Sequence, residues 1–182
     1  MRKIIAALRV SVDGFIEGPK GEVDWVDTWE DLFDLLPQID TCIVGRGMYP
    51  GHKQYWGAIL ANPKGASKGE IAFAHFTERT PHVVLSKTLD KVTWKNTRIV
   101  RDIEEIRRMK QQPGKDMYAV GGATLVCSLM NQRLIDELRL VVYPIVLGGG
   151  KALFKDVNER HALKFVGAKP LKSGLVRLTY ST

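Results

Sequence analysis

The sequence contains few cysteines and no long hydrophobic run. Among its 182 residues only Cys42 and Cys127 are cysteines, and both lie in apolar stretches, which favours buried, reduced thiols over a disulfide framework. No apolar run approaches the roughly 18 residues that a membrane span needs. The apolar start reaches Arg9 too early for a signal peptide. We therefore expect a cytoplasmic protein whose residues 1–182 form a single domain.

Several motifs that would indicate other functions are also missing. The 4 histidines lack zinc-ligand spacing and have no cysteine nearby, so no metal site is expected. No P-loop, nucleophile elbow or Cys-His pairing is present. The basic residues are scattered singly, without the aromatic interleaving or the signature motifs of nucleic-acid-binding domains. We expect neither nucleic acid nor a membrane as a partner, and nucleic-acid binding is the weakest functional interpretation.

What the chain does have is an uneven distribution of charge. Residues 1–45 carry 4 basic and 9 acidic side chains, whereas residues 46–115 carry 14 basic and 6 acidic ones. The formal net charge of the whole chain is +7. Such asymmetry is typical of a protein with a basic face for an anionic ligand, although a solvated basic surface without a ligand is the alternative.

Short apolar runs alternate with helical patterns over most of the chain. The apolar runs, which predict strands covered on both faces, are residues 4–10, 41–44, 82–85, 97–100 and 117–120. The last third differs, because it has a long β run over residues 138–147, interrupted by Pro144, and then two segments that alternate around a Pro-Leu-Lys-Ser-Gly turn. The pattern predicts an α/β fold with a mostly parallel central sheet and a C-terminal antiparallel hairpin.

An acidic segment follows the first strand and its loop. Thr28 and Asp31 form a capping box that predicts a helix from about Thr28. Asp24 precedes Trp25, whose ring would desolvate a neighbouring carboxyl group and raise its pKa, so Asp24 is the candidate catalytic proton donor. The alternative is a solvated acidic helix start that complements the helix dipole.

Glycine or a basic residue follows three of the predicted strands: Gly45-Arg46, Ser86-Lys87 and Gly121-Gly122. Two adjacent glycines let a ligand approach the backbone closely, and the helix predicted after them directs unpaired N–H groups to the same place. A tight turn without a ligand is the alternative for the Gly-Gly pair alone. Ligands of open α/β sheets bind beyond the carboxyl ends of strands, so three such ends favour a dinucleotide. The basic residues favour NADPH over NADH.

The order of these motifs resembles the dihydrofolate-reductase-like fold, and within it the bacterial reductases similar to the C-terminal reductase domain of the bifunctional riboflavin-biosynthesis deaminase/reductase. The segments that carry the resemblance are residues 11–16, 24–25, 44–46, 84–87, 120–122 and 144–150. It implies a three-layer α/β/α domain, a homodimer, a glycine-rich lid from residue 11 onward and nicotinamide near Ala7. The other residues that it implies as NADPH-binding are Gly45, Arg46, Ser86, Lys87, Gly121, Gly122, Ala123 and Thr124.

The resemblance favours one function over two alternatives. The favoured one is an NADPH-dependent reductase that transfers hydride to a small heterocyclic or ribosylaminopyrimidine-type substrate, similar to 5-amino-6-(5-phosphoribosylamino)uracil reductase. A dihydrofolate or pterin reductase is one alternative, with Glu30 and Asp31 both near the place of the folate-binding acid. A non-catalytic, regulatory NADPH-binding module is the other.

Overall fold

The computed structural model describes residues 1–29 and 32–182, and its elements alternate between strand and helix over most of the chain. The strands, in chain order, are β1 (Ile4–Ser11), β2 (Phe15–Glu17), β3 (Ile39–Gly45), β4 (His82–Leu85), β5 (Thr97–Val100), β6 (Asp116–Gly121), β7 (Glu137–Tyr143), β8 (Lys151–Ala152), β9 (Lys164–Pro170) and β10 (Val176–Ser181). The helices are α1 (Tyr49–Ala61), α2 (Lys68–Arg79), α3 (Ile103–Gln111) and α4 (Ala123–Asn131). Short 3₁₀ turns occupy Leu36–Gln38 and Lys172–Gly174.

An 8-stranded sheet in the order β5-β4-β3-β6-β1-β7-β10-β9 forms the centre of the molecule. The pairs from β5 across to β7 are all parallel, whereas β10 pairs antiparallel with both β7 and β9. The predicted mostly parallel sheet with a C-terminal antiparallel hairpin is therefore confirmed. β7 is shorter than the predicted run, because Pro144 follows its last residue and has no N–H to continue the ladder.

The alternation of side chains along β1 separates two cores, one on each face of the sheet. Ile4, Ala6 and Leu8 pack on the face covered by α3 and α4. Ile5 and Ala7 pack on the opposite face, with residues of α1 and α2. Because both faces are covered, β1 is apolar almost throughout. This division also decides which side chains meet at the carboxyl edge of the sheet.

The helix predicted from about Thr28 is not present in the described residues. Residues 33–35 form a turn, and only the 3₁₀ turn Leu36–Gln38 follows. Leu32 also has 3₁₀ geometry, and Pro37 keeps the segment from continuing as an α-helix past Leu36, since a proline disfavours the α conformation of the residue before it. Asp31, the second residue of the predicted capping box, lies outside the described residues, as does Glu30.

The helices that do form have local signals at their starts. Ser67 and Glu70 make a complete capping box at α2, in which each side chain accepts a hydrogen bond from the other residue's backbone N–H. Asp102 caps α3 by accepting from the Glu104 N–H at 3.1 Å. Within the described ranges, none of the helices has the length and apolar character needed to cross a bilayer.

Candidate active site

A cavity of ≈ 1240 Å³ opens at the carboxyl edge of the parallel strands. The ends of β3, β4, β5 and β6 contribute to its lining, together with the middle of β1. All nine residues predicted to bind the cofactor line this one cavity, namely Ala7, Gly45, Arg46, Ser86, Lys87, Gly121, Gly122, Ala123 and Thr124. The structure thus brings together residues that are far apart in sequence, while their binding of a cofactor stays a prediction.

One part of the lining, which we call the cationic half, carries Arg46, Lys87 and Arg101 beyond the ends of β3, β4 and β5. All three side chains are exposed. The Arg101 guanidinium donates to the Ser86 carbonyl at 3.1 Å, so it lies beside the Ser86-Lys87 turn. The Ser86 hydroxyl oxygen accepts from the Leu89 N–H at 2.9 Å and fixes the shape of that turn. Asp102, which caps α3, lines this part as well, so three positive charges and one negative charge are present where an anion could bind.

Arg101 is a lining residue that the sequence reasoning missed. The signal was present, because Arg101 follows the last residue of β5 directly, as Arg46 follows β3. β5 is an edge strand and only partly buried, and no glycine precedes Arg101 as Gly45 precedes Arg46, so the signal at this strand end is weaker.

The Gly121-Gly122 turn closes the cationic half against α4. Gly121 has φ +120° and is joined to Gly122 by a cis peptide bond. L side chains rarely adopt that φ, so glycine is required there. Gly122 precedes the first residue of α4 and has no side chain to cap it, so the first-turn N–H groups of the helix are left for another acceptor. This arrangement favours an anion such as a phosphate.

Ala7 lines the cavity from the middle of β1. Its side chain belongs to the core on the α1 and α2 face, and its carbonyl accepts a hydrogen bond from the Tyr118 hydroxyl at 3.2 Å. The small side chain leaves room beside the sheet, and the hydrogen bond holds the backbone of β1 in place.

The other part of the lining, the aromatic half, comprises Trp29, His52, Tyr55, Trp56 and Phe73. Their rings form one connected cluster, in which the Trp56 centroid lies 4.8 Å from that of Trp29, 4.6 Å from that of Phe73 and 4.8 Å from that of Tyr55. Edge-to-face and tilted contacts of this kind hold the rings rigidly.

Arg9 joins the aromatic half from β1. Its guanidinium carbon lies 4.1 Å from the Trp29 ring centroid, and its Nε donates to the Thr28 carbonyl at 3.3 Å. A guanidinium over an indole face is a favourable cation–π arrangement. Arg9 therefore supports the position of Trp29 at the wall of the cavity.

Two carboxylates, Asp27 and Glu70, also line the aromatic half. The Tyr55 hydroxyl donates to Glu70 at 2.5 Å. Burial and the Glu70 carboxylate raise the pKa of Tyr55 to about 12, so Tyr55 remains a donor at neutral pH. Burial opposes ionisation of Glu70, but the hydrogen bonds from Tyr55 and Ser67 outweigh it and lower the pKa of Glu70 below its usual value.

The predicted proton donor does not share this position. Asp24 and Asp27 are both exposed, but Asp27 lines the cavity and Asp24 does not. The desolvation by Trp25 that motivated the assignment requires a buried carboxyl group, which Asp24 is not. The catalytic role of Asp24 stays a prediction that the structure gives no geometric reason to favour.

A pair of buried histidines lies at the base of the aromatic half. His52 Nδ1 accepts from the Trp56 indole N–H at 3.1 Å, so the proton of neutral His52 is on Nε2. His82 Nδ1 lies 2.7 Å from the Thr80 carbonyl and must donate to it. Burial lowers the pKa of His52 to about 3 and that of His82 to about 4, so both are neutral at pH 7. The described residues hold no cluster of three or more side chains suited to a metal ion.

A small two-stranded sheet borders the cavity beside the first strand. β2 pairs antiparallel with β8, and the Lys151 ammonium lies 2.9 Å from a Glu17 carboxylate oxygen. Both of these residues line the cavity, as does Ile16. A Cβ on Gly150 would lie 2.1 Å from the Glu17 carbonyl oxygen, so glycine is required at this contact. The loop predicted as a lid is therefore tied to the segment before β8.

Asp13 fixes the position of the start of the same loop. Its carboxylate accepts from the Ser11 hydroxyl at 2.6 Å and from the Gly148 N–H at 2.8 Å. The Ser11 hydrogen bond, supported by the backbone of Gly148 and Leu147, lowers the pKa of Asp13 below its usual value. A charged Asp13 thus links the start of the lid to the Gly148-Gly149-Gly150 segment.

Comparison with known proteins shows which proteins this chain is similar to. The chain is 38% identical over 183 residues to the uncharacterized protein YyaP of Bacillus subtilis (strain 168), a match that covers 98% of this chain and 94% of that protein. The fold is similar to that of a dihydrofolate reductase from Enterococcus faecalis complexed with NADP(H), with a TM-score of 0.66, 16% identity, and coverage of 98% of this chain and 95% of that one.

It is also similar to the fold of a diaminohydroxyphosphoribosylaminopyrimidine deaminase/5-amino-6-(5-phosphoribosylamino)uracil reductase from Thermotoga maritima. That match has a TM-score of 0.70 and 12% identity, and it covers 99% of this chain but 56% of that longer one. These likenesses confirm the predicted dihydrofolate-reductase-like fold. The model of the RibD C-terminal domain matches residues 2–177, and the chain belongs to that family.

Proposed function

We propose that this protein is an NADPH-dependent reductase that transfers hydride to a small heterocyclic or ribosylaminopyrimidine-type substrate. The observation that carries the proposal is the cavity that the Gly121-Gly122 turn, three cationic strand ends, Ala7 and the aromatic half line together. Membership of the RibD C-terminal domain family supports it. So do the fold neighbours, one a reductase of a pyrimidine and one complexed with NADP(H).

The residues of the cavity fit the dinucleotide. The first-turn N–H groups of α4 and the Gly121-Gly122 turn suit the pyrophosphate, since helix N-termini and glycine turns bind phosphate groups. Arg46, Lys87 and Arg101 suit the 2′-phosphate, because basic side chains beyond a strand end are how that group is accommodated. When bound, NADPH would supply the hydride, and the chain's own residues would position and shield it.

Asp27 is our proposed proton donor in place of Asp24. Asp27 lies in the sequence between the predicted lid and Trp29, and it lines the cavity. A general acid must come within hydrogen-bond reach of its substrate, which a lining residue can do. The Glu17–Lys151 pair and Ile16 would exclude water from the same space, which strengthens electrostatic interactions inside it.

Binding is the first test. Titration with NADPH should give saturable binding below about 1 mM, the upper end of ordinary weak affinities. If it gives none, the proposed function is wrong. An NADPH-oxidation screen over pterins, ribosylaminopyrimidines and quinones then distinguishes an enzyme from a nucleotide-binding module.

The cationic half gives a sharper test. Arg101→Ala should weaken NADPH by about tenfold, the effect of losing one charge-assisted hydrogen bond, and should leave NADH almost unchanged. Lys87→Ala and Arg46→Ala should likewise weaken the binding of NADPH more than that of NADH. Arg108, which is exposed on α3 and does not line the cavity, provides the control variant Arg108→Ala. Equal losses for NADPH and NADH would contradict the assignment of the 2′-phosphate site.

A further inference from the structure

Two segments that are distant in sequence run beside one another at the edge of the cavity. We call them together the loop wall: residues 12–18 and residues 145–153. The Val12 N–H donates to the Ile145 carbonyl at 2.9 Å, and the Leu153 N–H donates to the Gly14 carbonyl at 3.1 Å. Next to the second of these bonds, β2 pairs antiparallel with β8. Backbone hydrogen bonds therefore tie the loop after β1 to the segment after β7 at several points.

Close packing holds the other end of the loop wall. A Cβ on Gly150 would lie 2.9 Å from the Gly18 carbonyl carbon, so the two backbones touch there. The Lys151 ammonium lies 2.9 Å and 3.2 Å from the two carboxylate oxygens of Glu17. The two segments are in contact from Val12 to Gly18, which is more support than a surface loop usually has.

Asp13 is the side chain that joins the two segments. Its carboxylate accepts from the Ser11 hydroxyl at 2.6 Å, from the Leu147 N–H at 3.2 Å and from the Gly148 N–H at 2.8 Å. The Ser11 hydroxyl oxygen in turn accepts from the Phe15 N–H at 3.0 Å. Hydrogen bonds to a charged carboxylate are about twice as strong as neutral ones. Asp13→Ala would remove three of them at once.

The loop wall reaches the Gly121-Gly122 turn. A Cβ on Gly122 would lie 4.0 Å from Ile16 Cδ1, so the Ile16 side chain is beside the turn that suits the pyrophosphate. Ile16, Glu17 and Lys151 also line the cavity. A ligand bound at the turn would lie next to Ile16, and its release would depend on how firmly the loop wall holds that side chain.

From these contacts we propose that Asp13 is a positioning residue for the cofactor. By locking the loop wall it holds Ile16 beside the glycine turn before the cofactor binds, so the loop after β1 is a preformed wall where the resemblance implies a lid. A preformed site loses no free energy in ordering a loop when the ligand arrives. The inference rests on the proposed function and adds to it a residue that does not itself line the cavity.

Hydrogen exchange of the empty protein tests the lock without any ligand. In Asp13→Ala the amides of residues 12–18 and 145–153 should exchange about tenfold faster, because exchange reports local opening, while β3 and β6 should exchange as in the wild type. Asp116→Ala is the matched control, since Asp116 accepts from the Lys3 N–H at 2.8 Å at the amino end of β6, and it should leave exchange in the loop wall unchanged. Unchanged exchange in the loop wall of Asp13→Ala, or equal acceleration throughout the molecule, would contradict the proposal.

Cofactor titration tests the positioning role. Asp13→Ala should weaken NADPH and NADH by a similar factor of about ten, mainly through faster dissociation, because the loop wall lies beside the pyrophosphate site that both would share. Asp13→Asn keeps an oxygen that accepts from the Gly148 N–H and should lose less affinity. Unchanged affinities in Asp13→Ala, a loss for NADPH alone, or an equal loss in Asp13→Asn would each overturn the role of Asp13.

Failure of the wild-type protein to bind NADPH would instead overturn the proposed function, and with it the role of the loop wall in cofactor binding. If NADPH binds but Asp13→Ala changes neither exchange nor affinity, only this inference fails. The two failures are therefore distinguishable.

Discussion

The cationic and aromatic halves of the cavity are built in different ways. Arg46 and Arg101 follow a strand directly and Lys87 lies one residue further on, so the local sequence and the parallel sheet together fix their places. The aromatic half draws Trp29 from an irregular segment, Trp56 from α1 and Phe73 from α2, and these meet only because the two helices pack on one face of β1. A parallel sheet collects strand ends at one edge, whereas a side-chain cluster depends on helix packing.

The two halves also differ in burial. Arg46, Lys87 and Arg101 are exposed, but Trp56 is 3% and Phe73 is 1% accessible. Solvent and salt screen exposed charges, so the cationic half should contribute modestly per residue and depend on ionic strength. The aromatic half belongs to the hydrophobic core, and changes there affect stability as well as ligand binding.

The largest expected effect concerns the acid of the aromatic half. Asp27→Asn should lower kcat by about 10²- to 10⁴-fold for an acceptor found in the oxidation screen, because general-acid catalysis contributes about that much. Asp24→Asn is the control and should change kcat little, since Asp24 is exposed outside the lining. Steady-state kinetics of both variants measure the difference. The opposite ranking would restore Asp24 as the donor.

The next effect concerns the glycine turn between the two halves. Gly121→Ala places a side chain at φ +120° and should lower the free energy of unfolding by about 1–3 kcal/mol, as strained backbone positions do. Its new Cβ would lie 3.6 Å from Leu8 and 3.7 Å from Met48, which are ordinary van der Waals distances, so the backbone strain causes the loss.

Gly57 offers a matched control for that variant. It lies inside α1, and a Cβ there meets nothing within 4 Å, so Gly57→Ala should stabilise the protein by about 0.5–1 kcal/mol. Urea unfolding and NADPH titration of both variants check the prediction. Equal stability of Gly121→Ala and the wild type would contradict it.

The last prediction concerns acid stability, which should depend on the aromatic half. The pKa of His52 is lowered to about 3, so the unfolded chain takes up a proton below pH 6.5 while folded His52 stays neutral. Stability therefore falls as the pH drops from 6.5 toward 3, by about 1.4 kcal/mol per pH unit for one such histidine.

The variant His52→Asn keeps an acceptor for the Trp56 indole N–H and should make this slope shallower. His75→Asn, on the exposed side of α2, should leave the slope as in the wild type. Unfolding free energies measured between pH 4 and pH 7 test this prediction. An unchanged slope in His52→Asn would show that His52 does not cause the loss of stability at low pH.

Much of the fold was predictable because its signals are local. The apolar run of β4 and the Ser67–Glu70 capping box of α2 lie within a few residues of one another in sequence. The helix predicted from about Thr28 is absent from the described residues, where Leu32 and residues 36–38 have 3₁₀ geometry and residues 33–35 form a turn. β7 ends at Tyr143, directly before Pro144, which interrupts the predicted run because it cannot donate to a ladder.

The site was predictable only in its cationic half. Gly45-Arg46, Ser86-Lys87 and Gly121-Gly122 stand at recognisable strand ends, and the structure places all of them around one cavity. Phe73 and Trp56 carry no such signal, because an apolar residue of a helix is equally suited to core or cavity until the packing is known. The sequence could not choose between Asp24 and Asp27. They are three residues apart in an irregular segment, where no regular periodicity predicts which of the two lines the cavity.

The sequence by itself therefore determined the strands, most helices and the positive charge at the strand ends, because propensity, capping and proline act over a few residues. Only the tertiary structure decided which face of β1 meets α1 and α2, which rings form the aromatic half, and which carboxylate lines the cavity. Those outcomes depend on contacts between residues distant along the chain, and such contacts form only when the sheet and its two layers of helices pack together.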